Sequence, residues 1–371
     1  MKINQSFKLN SSLKLPLLAL AISAMFSGQA KADDGTNVTL YARVIAGVNY
    51  EDNVNLGNGK TGSLVNAAGN QWGTSWWGIA GKEDLGGGLS AHFTLESGFS
   101  TPQGVGNGPT SSVFDRKAFV GLTGSWGTLN FGEDLVLQCD DWNDDPMGHQ
   151  FSGIETLTNG RSWGGGTSNT ISYITPTVSG FTGKVQWDLG GVAGSTTDKQ
   201  AKRFELVYEQ PGAFDARVLY DDQRDANGLY SSLYNDSKEW IAAGKIRLGS
   251  DWTLLAGYVN LSAPDTPNAG PGVPSKANEE YVGAWYQVSA PLQLIGAVYH
   301  TNVNNGGGSA NLYAFGANYS LSKRTWLYAT VGDVNNSSAA AFSVECCSGP
   351  GNSPLAGHNQ LGTWLGIGMN F

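Results

Sequence analysis

Charge is scarce in this chain: Asp, Glu, Lys and Arg make up only 14% of its 371 residues, against the ~25% of an ordinary soluble domain. The three cysteines, Cys139, Cys346 and Cys347, are too few and too odd in number for a disulfide scaffold. Four histidines, His92, His149, His300 and His358, stand far apart with no HExxH spacing, so no zinc signature is present. Beyond the N-terminus no run approaches eighteen consecutive apolar residues, which excludes a membrane-spanning helix there. What the chain has in plenty is glycine (52 residues) and aromatic rings, with 12 Trp, 14 Tyr and 14 Phe. So much glycine disfavours long helices. The lack of a three-residue glycine period excludes collagen, and the aromatics exclude a disordered chain. A β-rich, charge-poor protein remains.

Lys2, Lys8 and Lys14 precede or open an apolar run over 15–26, and Ala30-Lys31-Ala32 follows. That order is a secretory signal peptide, with cleavage expected after Ala32 and residues 33–371 forming one domain. Residues 1–32 carry four lysines and no acid, so their removal takes the formal charge from −9 to −13. Such a balance argues against nucleic-acid binding. Pairing of Cys139 with Cys346 or with Cys347 stays open, since bonding between vicinal cysteines is strained.

Along the mature chain, apolar and polar residues alternate in stretches of about ten. Val38, Leu40, Ala42, Val44, Ala46 and Val48 share one face, opposite Thr39, Tyr41, Arg43 and Asn49. The same pattern recurs at Phe181–Leu189, where Lys184, Gln186 and Asp188 hold the polar face, and around 214–221, where Asp215, Arg217 and Asp221 do. Leu365, Ile367, Met369 and Phe371 close the chain. Short turns alternate with long connections at about 51–69, 100–112, 135–167, 190–200, 223–237, 262–277, 302–308 and 333–358, which gives about sixteen strands. A soluble sandwich, as in a lectin or hydrolase, has the same local pattern. The turn asymmetry, a terminal aromatic, and aromatics near segment ends (Tyr50, Trp72, Phe99, Trp187, Tyr258, Trp285, Tyr299) favour an all-β transmembrane antiparallel barrel.

Several runs resemble the general Gram-negative porins, particularly those of the β-proteobacteria. They include Asn37-Val38-Thr39-Leu40-Tyr41, Lys82-Glu83-Asp84-Leu85-Gly86-Gly87-Gly88-Leu89, Leu95-Glu96-Ser97-Gly98-Phe99, Ala118-Phe119-Val120-Gly121-Leu122, Leu321-Ser322-Lys323-Arg324-Thr325 and the closing Leu365-Gly366-Ile367-Gly368-Met369-Asn370-Phe371. The resemblance implies a sixteen-stranded homotrimeric barrel in the outer membrane, among lipid and lipopolysaccharide. It also implies passive diffusion of small hydrophilic solutes, no catalysis and no cofactor. Phe371 is similar to the signal read by the barrel-assembly machinery. The third long loop, about 133–167, is implied to fold into the lumen as a constriction. There Glu133, Asp134, Asp140, Asp141, Asp144, Asp145 and Glu155 would face the basic wall positions Arg43, Arg116 and Arg161.

Two departures stand out. Where such porins carry Arg-Trp-Gly-x-Arg-Gly, this chain has Trp76-Trp77-Gly78-Ile79-Ala80-Gly81, so Trp76 and Ala80 replace arginines. Where they carry Gly-Arg-Gln, it has Gly132-Glu133-Asp134. Counted this way the neck is acidic, and an acidic neck concentrates cations; a cation-preferring channel is the expectation. If the loop acids are instead a solvated tip away from the neck, that preference lapses. A lumenal Trp76 leaves open a channel selective for a sugar or an aromatic acid, or a merely space-filling ring. Ca²⁺ at Asp140–Asp145 is disfavoured, because the glycine and glutamate of a calcium loop are missing. Gly59-Lys60-Thr61 lacks the first glycine of a phosphate loop.

Overall fold

Alternation of this kind becomes sheet, and the computed structural model describes it over residues 37–108, 112–148, 152–267, 269–345 and 352–371. The first strands are β1 (Asn37–Gly57), β2 (Lys60–Ala68), β3 (Ser75–Gly86), β4 (Leu89–Ser100), β5 (Val105–Gly106), β6 (Lys117–Gly124) and β7 (Gly127–Leu135). Then come β8 (Gly166–Ile174), β9 (Phe181–Leu189), β10 (Gln200–Gln210), β11 (Phe214–Gln223), β12 (Lys238–Leu248) and β13 (Trp252–Ser262). The last are β14 (Lys276–Gln287), β15 (Leu292–Val303), β16 (Gly308–Ser320), β17 (Thr325–Asn336) and β18 (Gln360–Asn370).

All pairings between these strands are antiparallel, and β1 closes the sheet on β18, with Arg43 opposite Asn370 and Glu51 opposite Gly362. The Phe371 N–H donates to Ala42 O at 2.9 Å, completing the seam. The barrel has sixteen staves. β2 and β3 pair with successive halves of β1 and form one interrupted stave, while the two-residue β5 only extends the rim beside β4. Closure leaves no unpaired sheet edge, which a bilayer would penalise.

The outer face is apolar: Val38, Leu40, Val185, Trp187, Val218, Leu365 and Ile367 are all exposed. Aromatic contacts brace it near the short turns, Phe181 with Tyr208 at 4.7 Å and Trp252 with Tyr286 at 4.4 Å. Trp187 and Trp240 stand toward the opposite rim, and both are exposed. Two aromatic belts are the usual dress of a barrel at the membrane interfaces. Trp72, Trp285 and Tyr299 do not belong to them. Trp72 bonds Asn318, while Trp285 and Tyr299 bond the β7–β8 loop, so all three face inward.

The expected loop over 51–69 is largely a projecting β-ribbon. Asn58 and Gly59 form its tip with φ of 53° and 71°, the left-handed pair that Asn-Gly favours in a tight hairpin. Residues 1–32, His149, Cys346 and Cys347 lie outside the described residues.

Candidate functional site

The β7–β8 connection is described over 136–148 and 152–165, and its composition determines where it lies. It holds a 3₁₀ turn (Leu137–Asn143) and one short helix, α1 (Ile154–Leu157). At its neck the Val136 N–H donates to Gly165 O at 3.0 Å. Leu137, Met147, Ile154 and Leu157 are buried in one cluster with Leu219, Ile241, Val259, Ile295 and Tyr299 of the wall. Exposing those loop side chains would cost about 1.5–3 kcal/mol each, so the loop packs against the inner face of the barrel. Glycines in the wall admit it: a Cβ on Gly283 would lie 2.5 Å from Pro146, and one on Gly332 would lie 2.0 Å from Ser152 Oγ.

Polar ties fix the register. Asp140 pairs with Lys184 of β9 at 2.5 Å. Asp144 pairs with Arg217 of β11 and, at 3.4 Å, with Lys245 of β12. Asp145 accepts from the Tyr299 hydroxyl of β15 at 2.5 Å. The Trp285 indole N–H of β14 donates to Pro146 O at 2.6 Å. At the loop's far end Arg161 donates to Asp221 at 2.7 Å, to Glu239 at 3.0 Å and to Ser237 Oγ at 2.9 Å. Gln138 reaches the same two carboxylates at 2.6 and 3.0 Å. The five carboxylates at 140, 144, 145, 221 and 239 thus serve attachment, and those of Asp140, Asp144 and Asp145 diverge to different staves rather than converge on one ion.

The other expected residues separate. Arg43 and Trp76 face each other across β1 and β3 inside the barrel, the guanidinium 5.6 Å from the ring. Trp72 and Trp142 complete a cage around Arg43 at 6.0 and 5.5 Å. Ala80 sits opposite Thr39 and Thr94. Arg116 pairs with Glu96 at 2.5 Å. Arg161, expected on the wall, belongs to the loop and is buried in its ties. Glu133 and Asp134 lie in β7 at a bulge rather than in the loop; Asp134 lines a cleft with Lys117 and Lys184.

The expected acidic excess does not survive this pairing. It counted three wall arginines and missed Lys184, Arg203, Arg217, Lys245 and Arg247, which meet Glu205, Asp188, Asp144 and Asp215. Their signal was present in the sequence, as single charges alternating with apolar residues in strands. Four clefts flank the loop among the described residues, and together their walls carry ten basic side chains and three acidic ones, Asp134, Asp140 and Asp188.

Two loop carboxyls are wholly enclosed. Burial holds the Asp141 carboxyl well above the usual range, Asp145 and Asp144 reinforcing it and Arg217 opposing it. Burial, then Asp145, does the same to Glu155. The folded chain therefore keeps protons that the unfolded chain has released, so stability falls as pH rises from about 4 until these groups ionise. Each tenfold in proton affinity is worth about 1.4 kcal/mol. Asp141→Asn is expected to flatten the decline of the unfolding temperature between pH 6 and 9; an unchanged slope contradicts this.

A closed sheet, apolar outside and charged within, defines a transmembrane β-barrel channel. A family model described as Gram-negative porin matches residues 19–339, and the chain belongs to that family, in the bacterial outer membrane. An outer membrane porin protein of Bordetella pertussis is 29% identical over 85% of this chain and 93% of its own length. Outer membrane porin protein 32 of Delftia acidovorans is 27% identical over 96% of this chain and 99% of its own. Among solved structures, the anion-selective porin from Comamonas acidovorans superposes with a TM-score of 0.75 at 23% identity, covering 91% of this chain and all of that one. The trimer form of OmpT from Vibrio cholerae gives 0.65 at 14% identity, covering 91% and 100%.

Proposed function

We propose that this porin is a diffusion channel for small hydrophilic solutes, constricted by the 136–165 loop and preferring anions. The observation that carries this reading is the division of charge: Asp140, Asp144 and Asp145 of the loop are held in ion pairs and hydrogen bonds and Asp141 and Glu155 are enclosed away from water, while guanidinium and ammonium groups line the clefts. A fixed charge acts on a permeant through water and low-dielectric walls, so the groups at the water's edge set selectivity. Lys199, Arg203 and Arg224 line a cleft on the long-loop side, and Arg43, Lys245 and Arg247 one on the short-turn side. Solutes pass both. The cation preference expected from the residue count is set aside for this reason, and the anion-selective porin from Comamonas agrees in sign.

The remaining parts follow the family. Residues 1–32 direct export as a signal peptide and are removed. Three copies assemble through the apolar outer face; the Vibrio protein likewise has a trimer form. Phe371, exposed at the end of the closing strand, is the recognition signal for barrel insertion. Purified protein in planar bilayers is expected to give discrete conductance steps, and in liposomes to admit small sugars at rates that fall with sugar mass. Liposomes that swell no faster than protein-free ones overturn the reading.

A further inference from the structure

The short-turn cleft differs from the others in carrying cations and no carboxylate beside a broad apolar wall. It encloses about 370 Å³, room for a small molecule. Trp72, Trp142, Trp285 and Ile295 supply the apolar side; Arg43, Lys245 and Arg247 supply the charge. The Trp72 and Trp285 indole N–H groups are already used on Asn318 and Pro146, so these two rings have only faces and edges left to offer. Arg43 is 6% exposed and makes no ion pair among the described residues. Its Nε donates to Thr74 O at 2.9 Å. Arg247 spends Nη2 on Asp215 at 2.9 Å and leaves Nη1 buried with no partner among the described residues. A buried guanidinium donor without an acceptor is costly, and an incoming oxyanion would relieve it.

We propose that this cleft is a binding subsite for a small organic anion with an aromatic or compact apolar body, such as an aromatic monocarboxylate. The carboxylate meets Arg247 and Arg43, Lys245 adds attraction, and the body lies against the tryptophans. Simple inorganic anions gain the charge contacts alone. Permeation of the preferred class is then saturable, because a solute that dwells in the neck excludes the next. The proposal rests on the channel reading above, but the two fail separately.

The test uses the assembled wild-type protein with benzoate as probe, and acetate and benzylamine as controls. Two readouts run in parallel: block of the single-channel chloride current, and the change in tryptophan fluorescence in detergent. Benzoate is expected to reduce the current saturably and shift the fluorescence at the same half-saturating concentration, at least tenfold below acetate, with no effect of benzylamine. Arg247→Gln is expected to raise the benzoate value at least tenfold, with Lys245→Gln as a second variant should the first fail to assemble. Benzoate acting no more strongly than acetate overturns the proposal, as does a half-saturation that neither variant moves. Absence of any chloride current defeats the channel reading instead, and fluorescence binding is then still read.

Discussion

Arg161→Ala is expected to detach one end of the third loop and to lower the stability of that attachment by about 3–5 kcal/mol. The side chain is nearly enclosed, and its partners Asp221 and Glu239 are fully so. Removing the guanidinium leaves Asp221 with Arg203 at 3.3 Å and Glu239 with only Ser162 and Gln138. Enclosed carboxylates that lose a principal cation are costly to keep from water, so the loop end is expected to move out toward it. In bilayer recordings the steady open level is expected to give way to a larger, fluctuating one, and the assembled protein to unfold at a lower temperature. Adding Asp221→Asn and Glu239→Gln is expected to recover part of the loss, since the uncompensated charge is then gone. A quiet trace and an unchanged unfolding temperature in the single variant contradict the assignment of Arg161 as a tie.

The second large effect is on selectivity. Arg224 and Arg247 stand on opposite sides of the loop, with side chains 29% and 32% exposed. A unit charge about 5 Å from a passing ion contributes about 0.8 kcal/mol even at the dielectric constant of water. Reversing both, as Arg224→Glu with Arg247→Glu, is expected to lower the chloride-to-potassium permeability ratio by about tenfold. In 0.1 M salt the Debye length of about 10 Å leaves much of this unscreened, whereas in 1 M it is about 3 Å and the effect should shrink. A ratio unmoved at low salt contradicts a lining that selects by charge.

Much of the barrel is legible in the sequence because a two-residue period is a local signal. The faces read at Val38–Val48 and Phe181–Leu189 are the faces observed. The ribbon at 51–68 was legible too, through Asn58-Gly59, yet a run rich in Gly and Asn reads as loop when the dipeptide is not weighed against its flanks. The site was only half legible. Acids at 140–145 are visible in the chain, but their partners lie 44 to 154 residues away, and no local pattern announces that Asp145 will meet Tyr299 or Asp144 will meet Arg217. Counting charges within one loop therefore takes no account of the wall groups that hold those acids. Tryptophans show the same limit: Trp285 and Trp187 both sit in alternating strands near aromatic neighbours, and only the barrel's closure sends one inward and the other toward lipid.

The division of charge, carboxylates tied and cations at the water's edge, is tested most directly by the reversal potential of the wild-type channel across a KCl gradient in a planar bilayer. A potential displaced toward the chloride equilibrium value is predicted. One displaced toward potassium would mean that the loop's acids face the permeant after all.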